Sequence, residues 1–258
     1  MDLRRLHRHY PGYPLVSISD SQRRALPHLR WMRTVHHGYP KSQYKFSPAP
    51  KGNYLAFLGR VSPEKGIDRA ITIAAKAGVP LRVAAKIDGA DRDYFDAAIA
   101  PLFKGAGVEF IGEIGESQKS EFLGNARALL FPISWPEPFG LVMIEAMACG
   151  TPVIGFNHGS VPEVVTDGVS GFVVDTIEQA VAAVARIPEI DRSAVRAAFE
   201  ERFSVDVMAA NYEAAYRAVL GLAGGLKPAP RPVFVKALTH SKSAVGESVS
   251  LRKAEVRA

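Results

Sequence analysis

Ala128–Phe156 reads A-L-L-F-P-I-S-W-P-E-P-F-G-L-V-M-I-E-A-M-A-C-G-T-P-V-I-G-F. Ala128–Ile133 is a short apolar run of strand length. Residues 139–149 are long enough for a helix, and Pro152–Phe156 is a second apolar run. A strand, a helix and a strand in 29 residues form a β-α-β unit, whose strands are parallel and covered on both faces. The same alternation extends in both directions. Strands are predicted at Leu15–Ser19, Thr34–His37, Tyr54–Gly59, Leu81–Ile87, Val108–Ile111 and Gly171–Val174. Helices are predicted over 64–77, 91–104, 117–126, 160–167, 176–186, 193–202 and 205–222. The expectation is an α/β fold, a doubly wound parallel sheet of Rossmann-like type, with ligands at the carboxyl ends of its strands.

The helix over 139–149 is chemically odd. From Phe139 to Cys149 every residue is apolar or glycine except Glu145. With no polar stripe to share, its carboxylate must meet a protein partner or the hydroxyls of a ligand, because losing a buried partner costs about 3–5 kcal/mol. Glu137 precedes Pro138, a residue suited to a first helical position. The free N–H groups of Phe139, Gly140 and Leu141 would then point out beside it. Two carboxylates, a helix N-terminus and a glycine suit a polyhydroxylated, anionic ligand. A capping Glu137 and an ion-paired Glu145 are the plainer alternative.

A second block follows Tyr54–Gly59: R-V-S-P-E-K-G, before an amphipathic segment at 67–77. Gly59 reads as a tight strand exit, and Ser62 with Pro63 as a helix start. Arg60 and Lys65 then flank a strand-to-helix loop, a place that favours phosphate oxygens. Taken alone they read first as ordinary solvated charges, and only beside the first motif as phosphate ligands.

The E-P-F-G-L…E-A-M-A-C-G-T-P-V-I run, with Glu-x7-Glu and G-R…E-K-G, resembles the donor site of retaining glycosyltransferases of the GT-B fold, in particular glycosyltransferase family 4. The resemblance covers about Tyr13 to Leu220. It implies a nucleoside-diphosphate sugar as donor substrate, no cofactor and no metal. It assigns catalytic roles to Glu137, at the donor hexose, and to Arg60 and Lys65, at the leaving diphosphate. It also places Glu145 on the ribose hydroxyls, the backbone at Phe139, Gly140 and Leu141 on sugar and phosphate, and Gly59 at the donor. His36 and His37 match a loop near an interdomain cleft, with turn residues as the alternative. Members of the family carry an N-terminal domain with the acceptor site. Here residues 1–50 read as a remnant of that domain and its linker, 51–225 as the donor-binding domain, and 226–258 as a disordered basic tail. The sheet partners of Leu15–Ser19 are expected to lie outside this sequence, and Tyr212, Tyr216, Val219 and Leu220 to form an exposed apolar patch. An N-terminal acceptor-domain partner or a homodimer would complete the cleft. Two functions remain open: a hexosyltransferase donor half, or a nucleotide-sugar binding module without transfer activity.

Charge and composition narrow the rest. The net charge of +6 divides into +7 over residues 1–50, +5 over 226–258 and −6 between them. Basic flanks on an acidic body do not make a nucleic-acid-binding face, so no nucleic-acid partner is expected. The flanks read first as solvated charge, with an anionic membrane surface or an acidic partner as the alternatives. The lone Cys149 implies a reducing, cytoplasmic setting, and no run approaches the roughly 18 apolar residues of a membrane span. Asp91-Arg92-Asp93 reads as acids at a helix start, and Ser160 with Glu163 as a capping box.

Overall fold

The computed structural model describes residue 9 and residues 12–103 and 107–221. Its strands are β1 (Leu15–Ser17), β2 (Trp31–Thr34), β3 (Leu55–Arg60), β4 (Leu81–Lys86), β5 (Val108–Gly112), β6 (Ala128–Phe131), β7 (Val153–Phe156) and β8 (Gly171–Val174). The last six form one parallel sheet in the order β5-β4-β3-β6-β7-β8. The chain moves outward from β3 in one direction, then returns to start again at β6. The switch point therefore lies between β3 and β6, where open α/β sheets hold their ligands. Register opens the crevice there. β3 pairs with β4 along all of Leu55–Arg60, but with β6 only at Leu55↔Ala128 and Ala56↔Leu129. Beyond those pairs the two strands diverge. Pro132 helps end β6 two residues before the expected limit, because it cannot donate to a ladder.

The helices are α1 (Asp20–Ala25), α2 (Ile67–Ala77), α3 (Arg92–Tyr94), α4 (Glu116–Gly124), α5 (Leu141–Ala148), α6 (Val161–Val164), α7 (Ile177–Arg186), α8 (Arg192–Arg202) and α9 (Val205–Val219). The single helix expected over 91–104 is instead three pieces: α3, a π turn at Phe95–Ile99 and a 3-10 turn at Ala100–Phe103. Pro101 has no N–H to continue an α ladder. Phe95, Phe103 and Phe110 fill the space beneath as a ring cluster. Helix α5 is buried on nearly all sides: Met143, Ile144, Ala146, Met147 and Ala148 are each fully covered. That burial is what a helix apolar all round requires. Among the described residues no helix is long and apolar enough to cross a membrane.

Residues before Lys51 are joined to this unit closely. Tyr44 is only 2% exposed and sits in the core. Arg192 of α8 donates to Ser47 O at 2.8 Å, and Arg196 to Lys41 O at 2.7 Å and Tyr44 O at 3.1 Å. Strand β1 was expected to lack a partner in the sequence, and it has one: β2, running parallel beside it. The expected strand over Thr34–His37 is displaced to Trp31–Thr34, which leaves His36 and His37 in the following loop. The capping box at Ser160 does not form. Ser160 Oγ donates to Phe139 O at 2.7 Å, while Glu163 reaches across the fold to accept from Asp20 N at 2.7 Å and Ser21 N at 2.6 Å. Glu163 thus joins the N-cap Ser19 at the start of α1, its carboxylate meeting two of the orphan N–H groups and the helix dipole. On α9, Tyr216, Val219 and Leu220 are exposed, and Tyr212 stacks on Tyr216. The expected tail over 226–258 lies outside the described residues.

Cys149 is fully buried at the end of α5, and burial pushes its thiol up to about 12. A thiol is reactive only as thiolate. Ellman's reagent at pH 8 is expected to leave the native chain unmodified and to titrate one thiol after denaturation; rapid reaction of the native chain would show the α5 terminus to be open.

Candidate functional site

The β3–α2 loop leaves the sheet at Arg60 and turns through a 3-10 segment, Pro63–Lys65, with Ser62 at its N-cap position but making no side-chain capping bond. Gly66 follows in the left-handed region, with φ of 73°. A Cβ there would lie 2.2 Å from Pro132 O, so the site needs glycine for both backbone and space. The contact presses this loop onto the loop that leaves β6. Ser134 N donates to Glu64 O at 3.0 Å, and Arg69 Nε to Pro132 O at 2.6 Å. The two blocks singled out in the sequence are thereby fixed against each other at the switch point.

Lys65 and Glu137 meet. The Lys65 ammonium contacts Glu137 Oε2, and Trp135 Nε1 donates to the same oxygen at 2.9 Å. Lys65 Nζ also stands 5.0 Å from the centre of the Trp135 ring. The backbone of Glu137 is seated by the loop after β7. Ser160 N donates to Glu137 O at 3.0 Å, and a Cβ on Gly159 would come within 2.4 Å of Glu137 N and O. Arg60 points elsewhere. Its side chain is 47% exposed, and its guanidinium faces Glu64 at 2.9 Å, Asp91 at 3.6 Å and Asp88 at 3.9 Å. Gly59, expected as a tight strand exit, is an interior residue of β3 paired with Ala85, and β3 runs on through Arg60. A Cβ there would meet nothing within 4 Å, which leaves backbone open to close approach at the crevice.

Glu145 is 4% exposed. Its Oε1 accepts from Tyr39 OH at 2.9 Å and from Lys119 Nζ at 2.9 Å. Lys119 is shared with Glu116 at 2.9 Å. Glu116 in turn accepts from Tyr44 OH, and from Gln43 Nε2 at 2.9 Å. Burial alone would lower the Lys119 pKa, but the carboxylates of Glu116 and Glu145 outweigh it and hold it above the ordinary lysine range. The Tyr44 hydroxyl, with Gln43 and Lys119 behind it, holds Glu116 down at about 2. Burial and the Glu145 carboxylate push the Tyr39 hydroxyl well up, so it stays a donor.

Residues 40–202 match the family model described as Glycosyl transferases group 1. The chain belongs to this family. It is 34% identical over 196 residues to a D-inositol 3-phosphate glycosyltransferase of Segniliparus rotundus, covering 69% of this chain and 42% of that protein. It is 32% identical to an alpha-maltose-1-phosphate synthase of Mycobacterium tuberculosis, covering 51% of this chain and 38% of that one. The chain thus spans less than half the length of these curated relatives. Among solved structures it is similar to AviGT4, a glycosyltransferase involved in avilamycin A biosynthesis, with 27% identity, a TM-score of 0.68, and coverage of 81% of this chain and 64% of that one. Anabaena HepE, solved with UDP and glucose, shares the fold at 20% identity with a TM-score of 0.70, covering 84% of this chain and 66% of that one.

Within this glycosyl transferase domain the start of α5 corrects the sequence reading. The helix begins at Leu141, not at Phe139, and Pro138 lies in the loop. Gly140 adopts φ of 75° and acts as the cap. The first orphan N–H groups therefore belong to Leu141 and Val142. Phe139 turns inward instead, its ring packed against His36, His37 and Phe203. The His36–His37 loop is thus set against the Glu137 loop through Phe139. Burial and the neighbouring His36 lower the His37 pKa. Asp91 serves as a partner of Arg60, and Asp88 joins it.

Sequence reasoning missed Tyr39, Lys119 and Trp135. Trp135 lies inside the quoted motif two residues before Glu137, and its indole N–H is a donor that needs an acceptor when half-buried. Tyr39 and Lys119 carry no local signal.

Proposed function

We propose that this chain is the donor-binding half of a retaining hexosyltransferase, which moves a hexose from a nucleoside-diphosphate sugar to an acceptor hydroxyl. The observation that carries the reading is the meeting of Lys65 with Glu137 at the β3/β6 switch point, in a domain of the glycosyl transferases group 1 family. In the reaction the bond from the anomeric carbon to the diphosphate breaks, a bond to the acceptor oxygen forms on the same face, and the acceptor's proton passes to the departing diphosphate. Negative charge grows on the departing phosphate. Lys65 and the N–H groups opening α5 supply positive potential there, an effect of several kcal/mol on the barrier, and Arg60 adds to it only by turning away from Glu64, Asp88 and Asp91. Glu137 accepts from hexose hydroxyls, and Glu145 from the ribose. Gly59 and the backbone at Phe139–Leu141 let the sugar-phosphate approach closely.

The acceptor must be held a few ångströms from the anomeric carbon. We assign that second wall to an N-terminal acceptor domain or to a second copy of the chain, in the cytoplasm. Calorimetric titration of the 258-residue chain with UDP-glucose, GDP-mannose and ADP-glucose is expected to show binding of at least one donor, with slow hydrolysis and no efficient transfer. Binding of none would overturn the donor reading. Robust transfer by the chain alone would overturn the assignment of the acceptor wall.

A further inference from the structure

We propose that Lys119 and Tyr39 are positioning residues for Glu145, gripping one carboxylate oxygen so that the other is presented to the ribose of a bound nucleotide. The inference rests on the donor reading above and adds two residues to it. Both donors converge on Oε1, from two elements that are separate from α5. Tyr39 is fixed before it reaches Glu145. Its N–H donates to Phe203 O at 3.0 Å, and its carbonyl accepts from Val205 N at 2.9 Å, so its backbone is locked at the α8–α9 corner. Gly38 permits that approach, since a Cβ there would lie 2.5 Å from Ser204 O. Lys119 is fixed too, because its ammonium is held between Glu116 and Glu145 at 2.9 Å each.

A carboxylate in so apolar a helix is hard to explain as a stabilising device. A buried ion pair is often matched or bettered by apolar residues of similar volume. Keeping the charge, with two donors committed to one of its oxygens, makes sense where the carboxylate itself has a task. The arrangement also occurs twice. At Glu137 a single oxygen, Oε2, takes one ammonium from Lys65 and one neutral donor from the Trp135 ring. At Glu145 the ammonium is Lys119 and the neutral donor is the Tyr39 phenol. Each glutamate of the pair is thus oriented at one oxygen by a cation and an aromatic side chain.

The test separates an effect on ribose from an effect on the fold. The full chain and the variants Tyr39→Phe, Lys119→Met, Lys119→Arg and Glu145→Gln are titrated by calorimetry with UDP, GDP and ADP. The tightest binder is then compared with its 2′,3′-dideoxy counterpart. We expect Tyr39→Phe and Lys119→Met each to weaken the ribonucleotide about three- to tenfold, as loss of one hydrogen bond would, and to leave the dideoxy nucleotide unchanged. Lys119→Arg should retain most of the affinity. Equal weakening of both nucleotides would show a structural role and overturn the proposal. If Glu145→Gln abolishes the preference for ribose while Tyr39→Phe and Lys119→Met preserve it, the proposal fails and the donor reading stands. If the unaltered chain binds none of the diphosphates, or binds ribose and dideoxy forms equally, the donor reading fails and the proposal with it. Tyr39→Phe keeps the ring contact with Tyr44 (centroids 5.3 Å apart), so it carries the test even if Lys119→Met fails to fold.

Discussion

Lys65→Ala is expected to weaken nucleoside diphosphate binding by about 100-fold, with a much smaller effect on the nucleoside alone. Two losses combine. The phosphate loses a cation, and Glu137 keeps its charge with the Trp135 indole as its remaining named donor. Glu137 is 12% exposed in its side chain, so water screens it poorly, and an unpaired carboxylate would then face an incoming dianion. Losing a hydrogen bond to a charged group costs about 1.5–3 kcal/mol, and repulsion by the uncompensated carboxylate adds to it, which brings the expected loss to about two decades. Arg60→Ala should cost under about tenfold, because that side chain is half exposed and is already shared among Glu64, Asp88 and Asp91. The cycle with Glu137→Gln decides the cause. In Lys65→Ala/Glu137→Gln the stranded charge is gone, so diphosphate affinity should recover by about tenfold while nucleotide-sugar affinity stays low. Parallel loss of nucleoside affinity, or no recovery in the double variant, would show that Lys65 only shapes the loop.

That asymmetry between Lys65 and Arg60 is invisible in the sequence, where both stand in one short block at a strand exit. What the sequence does reveal is governed by local chemistry. Short, mostly apolar runs bounded by turn residues mark strands, so Leu81–Lys86, Val108–Gly112 and Gly171–Val174 are found within a residue of their expected limits. The start of α5 went astray because Pro138 suits a first helical turn, whereas the deciding feature is the left-handed Gly140. A Cβ there would crowd Phe131 and Met143, and that crowding exists only once the sheet has formed.

The site divides in the same way. An isolated glutamate in an apolar helix states that it needs a partner. It cannot name Tyr39 and Lys119, which lie 106 and 26 residues away. Glu163 shows the converse. Its spacing from Ser160 fits a local cap, yet its carboxylate closes the N-terminus of α1, more than 140 residues earlier. Long-range partners also redraw the boundary expected at residue 50. Tyr39, Gln43, Tyr44 and Ser47 all bond to residues of the six-stranded domain, and the first three belong to the Glu145–Lys119–Glu116 network. The family match likewise begins at residue 40. The strap over 39–47 therefore belongs with the domain it binds.

Arg192→Met should destabilise the chain by about 3–5 kcal/mol, the largest stability effect expected of a single substitution here. Arg192 is 8% exposed, and its guanidinium donates to Ser47 O at 2.8 Å, Gly124 O at 2.9 Å, Ala126 O at 3.0 Å and Thr151 Oγ1 at 2.7 Å. Burial lowers its pKa to about 10, which leaves it charged at neutral pH. An ion pair can be exchanged for apolar residues because both partners change together. Three of the four acceptors here are backbone carbonyls, which no substitution removes. Methionine fills most of the volume but donates to none of them, and each buried acceptor left bare costs about 1 kcal/mol or more. Thr151 is spared, since its hydroxyl still donates to Leu123 O at 2.8 Å. For a unit of this size the loss corresponds to a fall in Tm of roughly 6–20 °C. Urea denaturation followed by far-UV circular dichroism checks the value, with an unchanged m-value expected because the fold itself is retained. A loss below about 1 kcal/mol would mean that water replaces the guanidinium, and that the strap is held mainly by Tyr44 and Arg196.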